Sequence, residues 1–414
     1  MASKIIGRPA SGLEAISSSR RQFLQATLGG LGLFLAGNSL SGCGGSSSAN
    51  SSGLIADLGP LGAPDENGVR LPLGFQSRVV ARSGEPPTTS SDYLWPLLPD
   101  GGATFPTGDG GWIYVSNSEA IPGGVGALRF SSSGEIVDAY PILEEETLLN
   151  CAGGLTPWGT WLSCEEWDVG VVWECDPTGR PPAILRKSLG VFKHEAAAVD
   201  PATGNIYMTE DQPDGRLYRY RPRSRNRFGQ PDLTTGSIDV ARIVEGESGA
   251  IVWHELPDPE FTGETPTRHQ IPESTPFIGG EGIWYHEGLV VFSTKTDNRI
   301  WQLDLRSDTI GILYDPLTSP SPVLTGVDNV TVSQFGEILV AEDGGNMELC
   351  LVRTDGGAQP ICEIIEHPLS EITGPAFDPS GNRLYLSSQL GPTDDISNTL
   401  GITYEISGPF HSRT

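Results

Sequence analysis

Carboxylates recur at equivalent places along this chain. Glu195, Glu281 and Asp328 each open a short apolar run, and Cys164-Glu165-Glu166, Glu210-Asp211 and Glu342-Asp343 each close one. Carboxylates brought together without interleaved cations repel one another, so a multivalent cation is their natural partner. A single acidic pair carries little, because aspartate is common in turns. The same placement in successive units carries more. Cys164 adds a soft donor to the hard oxygens of Glu165 and Glu166, a mixture that suits a transition metal beside calcium.

Such residues need a scaffold that repeats. With 53 glycines and 33 prolines, the chain beyond residue 53 breaks into short β-rich runs separated by turn signals. That pattern fits a sandwich, a barrel or a propeller, and internal repetition decides among them. In each unit an apolar strand leads to a glycine-centred turn and a second strand with a polar or acidic end, and a third strand completes it. The clearest unit runs from His194 to Asp211 through Gly204-Asn205 and closes with Arg216 to Tyr220. Others are centred on Glu287-Gly288, Phe335-Gly336 and Ser380-Gly381, on Leu155 to Glu166, and on Gly110 to Glu119. The expected fold is therefore all-β, a six-bladed β-propeller in one domain over residues 57–414. Arg223 to Gly280, rich in Pro, Thr and Glu, is expected to be an insertion between blades over the active face.

The first residues read as an address. Arg20-Arg21 precedes the uncharged, glycine-rich run Ala26 to Ala36, which is shorter than the roughly 20 apolar residues of a membrane span. Paired arginines before such a run mark a twin-arginine signal peptide. Leu40-Ser41-Gly42-Cys43 matches a lipobox, with Cys43 the lipidated residue, and residues 44–56 form a Gly/Ser tether. The signal covers residues 1–43, and the expected location is the periplasm or cell envelope. Membrane contact would then come through the lipid anchor alone. Five cysteines remain beyond Cys43, and Cys151–Cys175 and Cys350–Cys362 are candidate disulfides in an oxidising compartment. Asp and Glu total 52 against 26 Lys and Arg, a formal charge of -26 that argues against nucleic acid as a partner.

The segment Thr156-Pro157-Trp158-Gly159-Thr160-Trp161-Leu162-Ser163-Cys164-Glu165-Glu166 resembles the PhoX-type alkaline phosphatases and their shorter relatives. His194-Glu195-Ala196 through Thr209-Glu210-Asp211, Glu281-Gly282, Asp328-Asn329 and Gly374-Pro375 follow in that family's order. The resemblance implies a six-bladed propeller with a mixed iron and calcium cluster that hydrolyses phosphate monoesters, with a small phosphorylated substrate. It implies Cys164 as an iron ligand and, with Glu281, as a catalytic residue. Glu165, Glu195, Glu210, Asp211, Glu281 and Asp328 would be metal ligands, with Asn329, Glu342, Asp343 and Glu119 nearby. One departure stands out. The family carries an arginine two residues before the glutamate matching Glu281, and this chain has Gly279. Arg268 or Lys295 would have to supply the lost contact to phosphate. Two other readings compete. One is a lactonase-like propeller holding a single calcium through Glu281, Asp328 and Asn329; the other is a non-catalytic, lipid-anchored propeller.

Overall fold

The computed structural model describes Ile55, residues 58–144 and residues 146–411. Residues 1–54, with Arg20-Arg21, Cys43 and most of the tether, lie outside the described residues. Among the described residues the only helices are two short 3-10 turns, Lys187–Leu189 and Thr267–His269. Everything else regular is antiparallel β-sheet in a propeller-like arrangement.

The first sheet runs outward as Pro99–Pro106, Trp112–Ser118, Gly124–Phe130 and Ile136–Glu144. The second runs Asn150–Leu155, Trp161–Glu165, Val172–Cys175 and Ile184–Leu185. A nine-stranded sheet follows. It starts at His194–Val199, reaches its middle at Gly249–Glu255 and returns to Gly280–His286. The fourth sheet starts at Val327–Val332 and the fifth at Ile372–Phe377. The leading strands contact one another in sequence: Pro99–Pro106, Asn150–Leu155, His194–Val199, Gly280–His286, Val327–Val332, Ile372–Phe377 and back to Pro99–Pro106.

Sheets that stack face to face must be apolar on both faces, and the side-chain period of two shows it. In Ile338–Glu342, Leu339 and Ala341 enter the apolar layer shared with Leu384 and Leu386. Val340 enters the opposite layer, with Val291 and Tyr314. The same alternation separates Cys350 from Cys362, which lie in those two different layers although their strands pair. Cys151 and Cys175, the other expected pair, lie on strands separated by Trp161–Glu165, and all five described cysteines are free thiols. The expected disulfides are therefore corrected: none forms among the described residues.

The expected insertion is also corrected. Gly236–Ile243 pairs with Leu217–Pro222, and Gly249–Glu255 extends the same sheet to meet Thr309–Tyr314. Two strands of residues 223–280 thus lie in the middle of that sheet instead of covering one face. At the other end, Gln76–Arg82 pairs with Ile402–Ser407, so an early strand completes the last sheet. Val69–Arg70 adds itself to Ala358–Ile364.

Around the axis the leading strands approach so closely that several positions tolerate no Cβ. One on Gly154 would lie 1.9 Å from the Ala197 carbonyl oxygen, and one on Gly282 would lie 2.4 Å from the Val330 nitrogen. Both obstacles are backbone and cannot rotate away. Gly154→Ala is expected to destabilise the protein by at least about 2 kcal/mol. The check is the urea midpoint, which should fall with an unchanged slope.

Candidate metal centre

Each leading strand carries a β-bulge at one end, where two of its residues face a single residue of the next strand out. The bulged pairs are Asp100-Gly101, Cys151-Ala152, Glu195-Ala196, Glu281-Gly282, Asp328-Asn329 and Gly374-Pro375. Five of them begin with an acid or a thiol. Hydrogen bonds from one sheet to the next fix the bulges. The Asn117 amide donates to the carbonyls of Cys151 and Ala152, at 3.0 and 2.8 Å. The Thr209 hydroxyl donates to Glu281 O at 2.5 Å, and Ser293 Oγ donates to Asp328 O. Thr373 Oγ1 donates to Pro99 O at 2.7 Å, which carries the link across to the first sheet.

The second strands contribute through their ends, and their acids divide by one position. Glu165 accepts from Thr147 Oγ1 and Trp173 Nε1, Glu210 from Tyr218 OH and Arg216 N, and Glu342 from the amides of Thr325 and Glu348. These buried glutamates are spent on tying turns and neighbouring strands. The residues just after them, Glu166, Asp211 and Asp343, extend beyond the strand ends and meet the cluster or its lysines.

Ligand atoms come together in overlapping groups, each within 4.8 Å: Asp100 with Glu119 and Cys151; Cys151 with Glu166 and Glu195; Glu195 with Glu281 and Asp328; Asp328 with Asp343 and Glu371. Cys151, Glu195 and Asp328 are shared, so the groups form one arc. Cys151 Sγ lies 3.3 Å from Glu195 Oε1, while Glu195 Oε2 is buried with no hydrogen-bond partner. An orphaned carboxylate oxygen beside a thiol and further acids is a donor set suited to metal ions. Two lysines enter the arc. Lys193 pairs with Glu166 and Asp211 at 2.7 and 2.8 Å, and Lys295 pairs with Glu281 and Asp343 at 2.9 and 3.1 Å.

Burial pushes the carboxyls up, with neighbouring acids adding to it and Lys295 working against it at Glu281 and Asp328: Asp328 to about 6, Asp100 to about 8, and Glu195 and Glu281 well above their usual range. Burial also pushes the Cys151 thiol up, with Asp100 and Glu195 adding to it. Asp211 is the exception. Burial works to raise it, but Lys193 and Lys295 hold it at about 2.

The profile of a family described as alkaline phosphatase PhoX matches residues 142–172 and 167–302, the stretch that supplies Cys151, Glu166, Glu195 and Glu281. Over that stretch the chain is similar to the PhoX family. Pseudomonas fluorescens PhoX in complex with vanadate, a transition state analogue, shares the fold. Its TM-score is 0.65 at 15% identity, over 86% of this chain and 99% of that one. A gluconolactonase from Xanthomonas campestris aligns at 12% identity over 85% and 98% of the two chains, with a TM-score of 0.45. A calcium-binding regucalcin from Agrobacterium tumefaciens aligns at 16% over 80% and 96%, with a TM-score of 0.39. Comparison with curated proteins gives no match.

The sequence-predicted residues fall into two sets. Glu195, Asp211, Glu281, Lys295, Asp328, Asp343 and Glu119 gather around the arc. Cys164 does not. It sits on the second strand, opposite the bulge that carries Cys151, and its thiol lies in an apolar layer with Leu162, Val172 and Phe192. Glu165 and Glu210 serve the scaffold, as above, whereas Glu342 also lies within 4.8 Å of Glu348 and Cys350, in a group that shares no residue with the arc. Arg268 pairs with Asp214 and Glu210 at 3.0 and 3.5 Å and so belongs to that scaffold too. Asn329 donates to Asp328 and accepts from Gly374 N at 2.9 Å, which commits its amide to the link between sheets. Asp100, Cys151 and Glu371 were missed, while Glu166, grouped by sequence with Cys164 and Glu165, is the member of that trio that reaches the arc. Their signal was available for Asp100 and Cys151: each precedes a run of small residues, as Glu281 precedes Gly282.

The raised carboxyls bind protons more tightly in the folded chain than in the unfolded one, where aspartate titrates near 4. Their contribution to stability is complete below that value and is lost as pH climbs through the folded values. Asp211 acts in the opposite sense but stays ionised throughout this range. Chelator-treated protein is therefore expected to lose Tm steadily between about pH 5 and about pH 9. Metal-loaded protein should show a flatter profile by differential scanning calorimetry.

Proposed function

We propose that this protein is a metal-dependent phosphatase-like hydrolase, exported by the twin-arginine route, that acts on small phosphate monoesters at the mouth of a six-bladed propeller. The observation that carries the reading is the arc itself: a buried thiol and carboxyls from five bulges, one carboxylate oxygen left without a partner, in a chain similar to the PhoX family. Six leading strands in cyclic contact support the blade count, with the nine-stranded sheet taken as two blades joined at their outer edges.

In this reading Cys151 takes the place given to Cys164 by sequence. Its sulfur, with Glu166 and Glu195, offers the mixed donor set that suits iron, and Glu195, Glu281, Asp328 and Asp343 offer the all-oxygen set that suits calcium. Bound iron and calcium would supply Lewis-acid neutralisation of the phosphoryl oxygens. The chain's own residues fix where that happens. The bulges and their cross-sheet hydrogen bonds hold the acids at one height, and the lysines bring positive charge to the phosphate side.

Gly279 bears on phosphate recognition. Its φ is +68°, and a Cβ there would meet Thr296 Oγ1 at 2.9 Å, so an arginine at this position would be strained. Lys295 donates its backbone N–H to Gly279 O and carries its ammonium to Glu281. It is the nearest replacement for the family's guanidinium. The acidic composition supports a small substrate over nucleic acid. Arg20-Arg21 and Cys43 support export and a lipid anchor in the cell envelope.

Purified protein is expected to contain iron and calcium and to hydrolyse p-nitrophenyl phosphate. Cys151→Ala should cut turnover by more than about 100-fold, since even partners of metal ligands are worth 10–100-fold. Cys164→Ala should retain turnover and lose only stability. Metal-loaded protein with no turnover would remove the catalytic reading, and loss in Cys164→Ala with retention in Cys151→Ala would reverse the assignment of the thiol.

A further inference from the structure

Four second strands are followed, one residue beyond their last buried polar residue, by an acid: Ser118-Glu119, Glu165-Glu166, Glu210-Asp211 and Glu342-Asp343. In the same register the strand Leu289–Thr294 is followed by Lys295. The charge at this position is inverted in one sheet, and the ammonium sits between two acids from different sheets, Glu281 and Asp343. Lys193 does the same on the other side of the arc, between Glu166 and Asp211.

We propose that Lys193 and Lys295 are built-in counter-cations, each holding a place in the acidic arc that would otherwise take a divalent ion. This rests on the reading that the arc binds metal. An ammonium 2.9 and 3.1 Å from two carboxylate oxygens occupies the space where calcium, at 2.3–2.6 Å from its ligands, would bind the same pair. Two cations cannot share those oxygens without strong repulsion in a site of low dielectric. A lysine is also a monovalent charge that chelators cannot remove. The arc is thereby divided. Each lysine takes one oxygen of each carboxylate it faces, and the other oxygens, with Glu195 and its unpartnered oxygen, are left for exchangeable metal.

The test is metal stoichiometry, read apart from activity. Wild type, Lys295→Asp, Lys295→Met and Lys295→Arg are dialysed against excess calcium and analysed for bound metal by mass spectrometry. Lys295→Asp restores the acid seen in the other sheets and is expected to bind about one additional calcium per chain. Lys295→Met should move in the same direction with weaker affinity, and Lys295→Arg should match wild type. If Lys295→Asp is soluble only with calcium, the ion has replaced the ammonium and the proposal stands. If the aspartate and methionine variants bind no more calcium than wild type, or fail to fold with calcium present, the proposal falls. Wild type that binds no metal at all would instead sink the metal-dependent function.

Discussion

Mutual repulsion among buried acids governs this molecule. Asp100, Glu195, Glu281 and Asp328 converge with Cys151 where water is scarce, and nothing in an apolar sheet would bring them together for stability's sake. Several kcal/mol are at stake for each uncompensated buried charge. Lys193 and Lys295 supply part of the compensation, and the remaining donors are of a kind suited to metal ions. Protein and ions together make a low-energy state that the metal-free chain reaches only by keeping protons on its carboxyls.

What brings the acids together is a repeated backbone defect. A bulge in each leading strand turns one side chain out of the two-residue alternation. Glycine or alanine follows it at Gly101, Ala152, Ala196 and Gly282, where the next sheet presses against the backbone. Hydrogen bonds from Asn117, Thr209, Ser293 and Thr373 then tie each bulge to a neighbour. Net contributions of about 1 kcal/mol each are modest, but a buried carbonyl left without its donor costs more. The polar residues in these strands serve the geometry of the site without touching it.

This division explains what was legible in the sequence. Strand-turn-strand repetition gave away the all-β scaffold, and the acids opening the apolar runs gave Glu195, Glu281 and Asp328. The segment from Thr156 to Glu166 misled, because its chemistry is spent on structure. Thr156 closes the turn onto Thr160, Trp161 and Ser163 hold Asn117, and Glu165 holds Thr147 and Trp173. Only Glu166 reaches the arc. Distinguishing Glu165 from Glu166, or Cys164 from Cys151, requires knowing where a strand ends and which of two adjacent strands lies innermost. Composition and spacing do not carry that information. Two strands were equally hidden: Gly236–Ile243 and Gly249–Glu255 lie among prolines and charges typical of a loop, yet they pair in the middle of the nine-stranded sheet.

The strand Gln76–Arg82 has a consequence in time. It is made early and pairs with Ile402–Ser407, hundreds of residues further along the chain. A chain still emerging from the ribosome can form hairpins in order but cannot bring Ile372–Phe377 alongside Pro99–Pro106 until all the residues between them are available. Asp100 therefore meets its neighbours across that seam only once Ile372–Phe377 has been made. In a chain that folds as it is made, the closed arc is a late feature, not an early one.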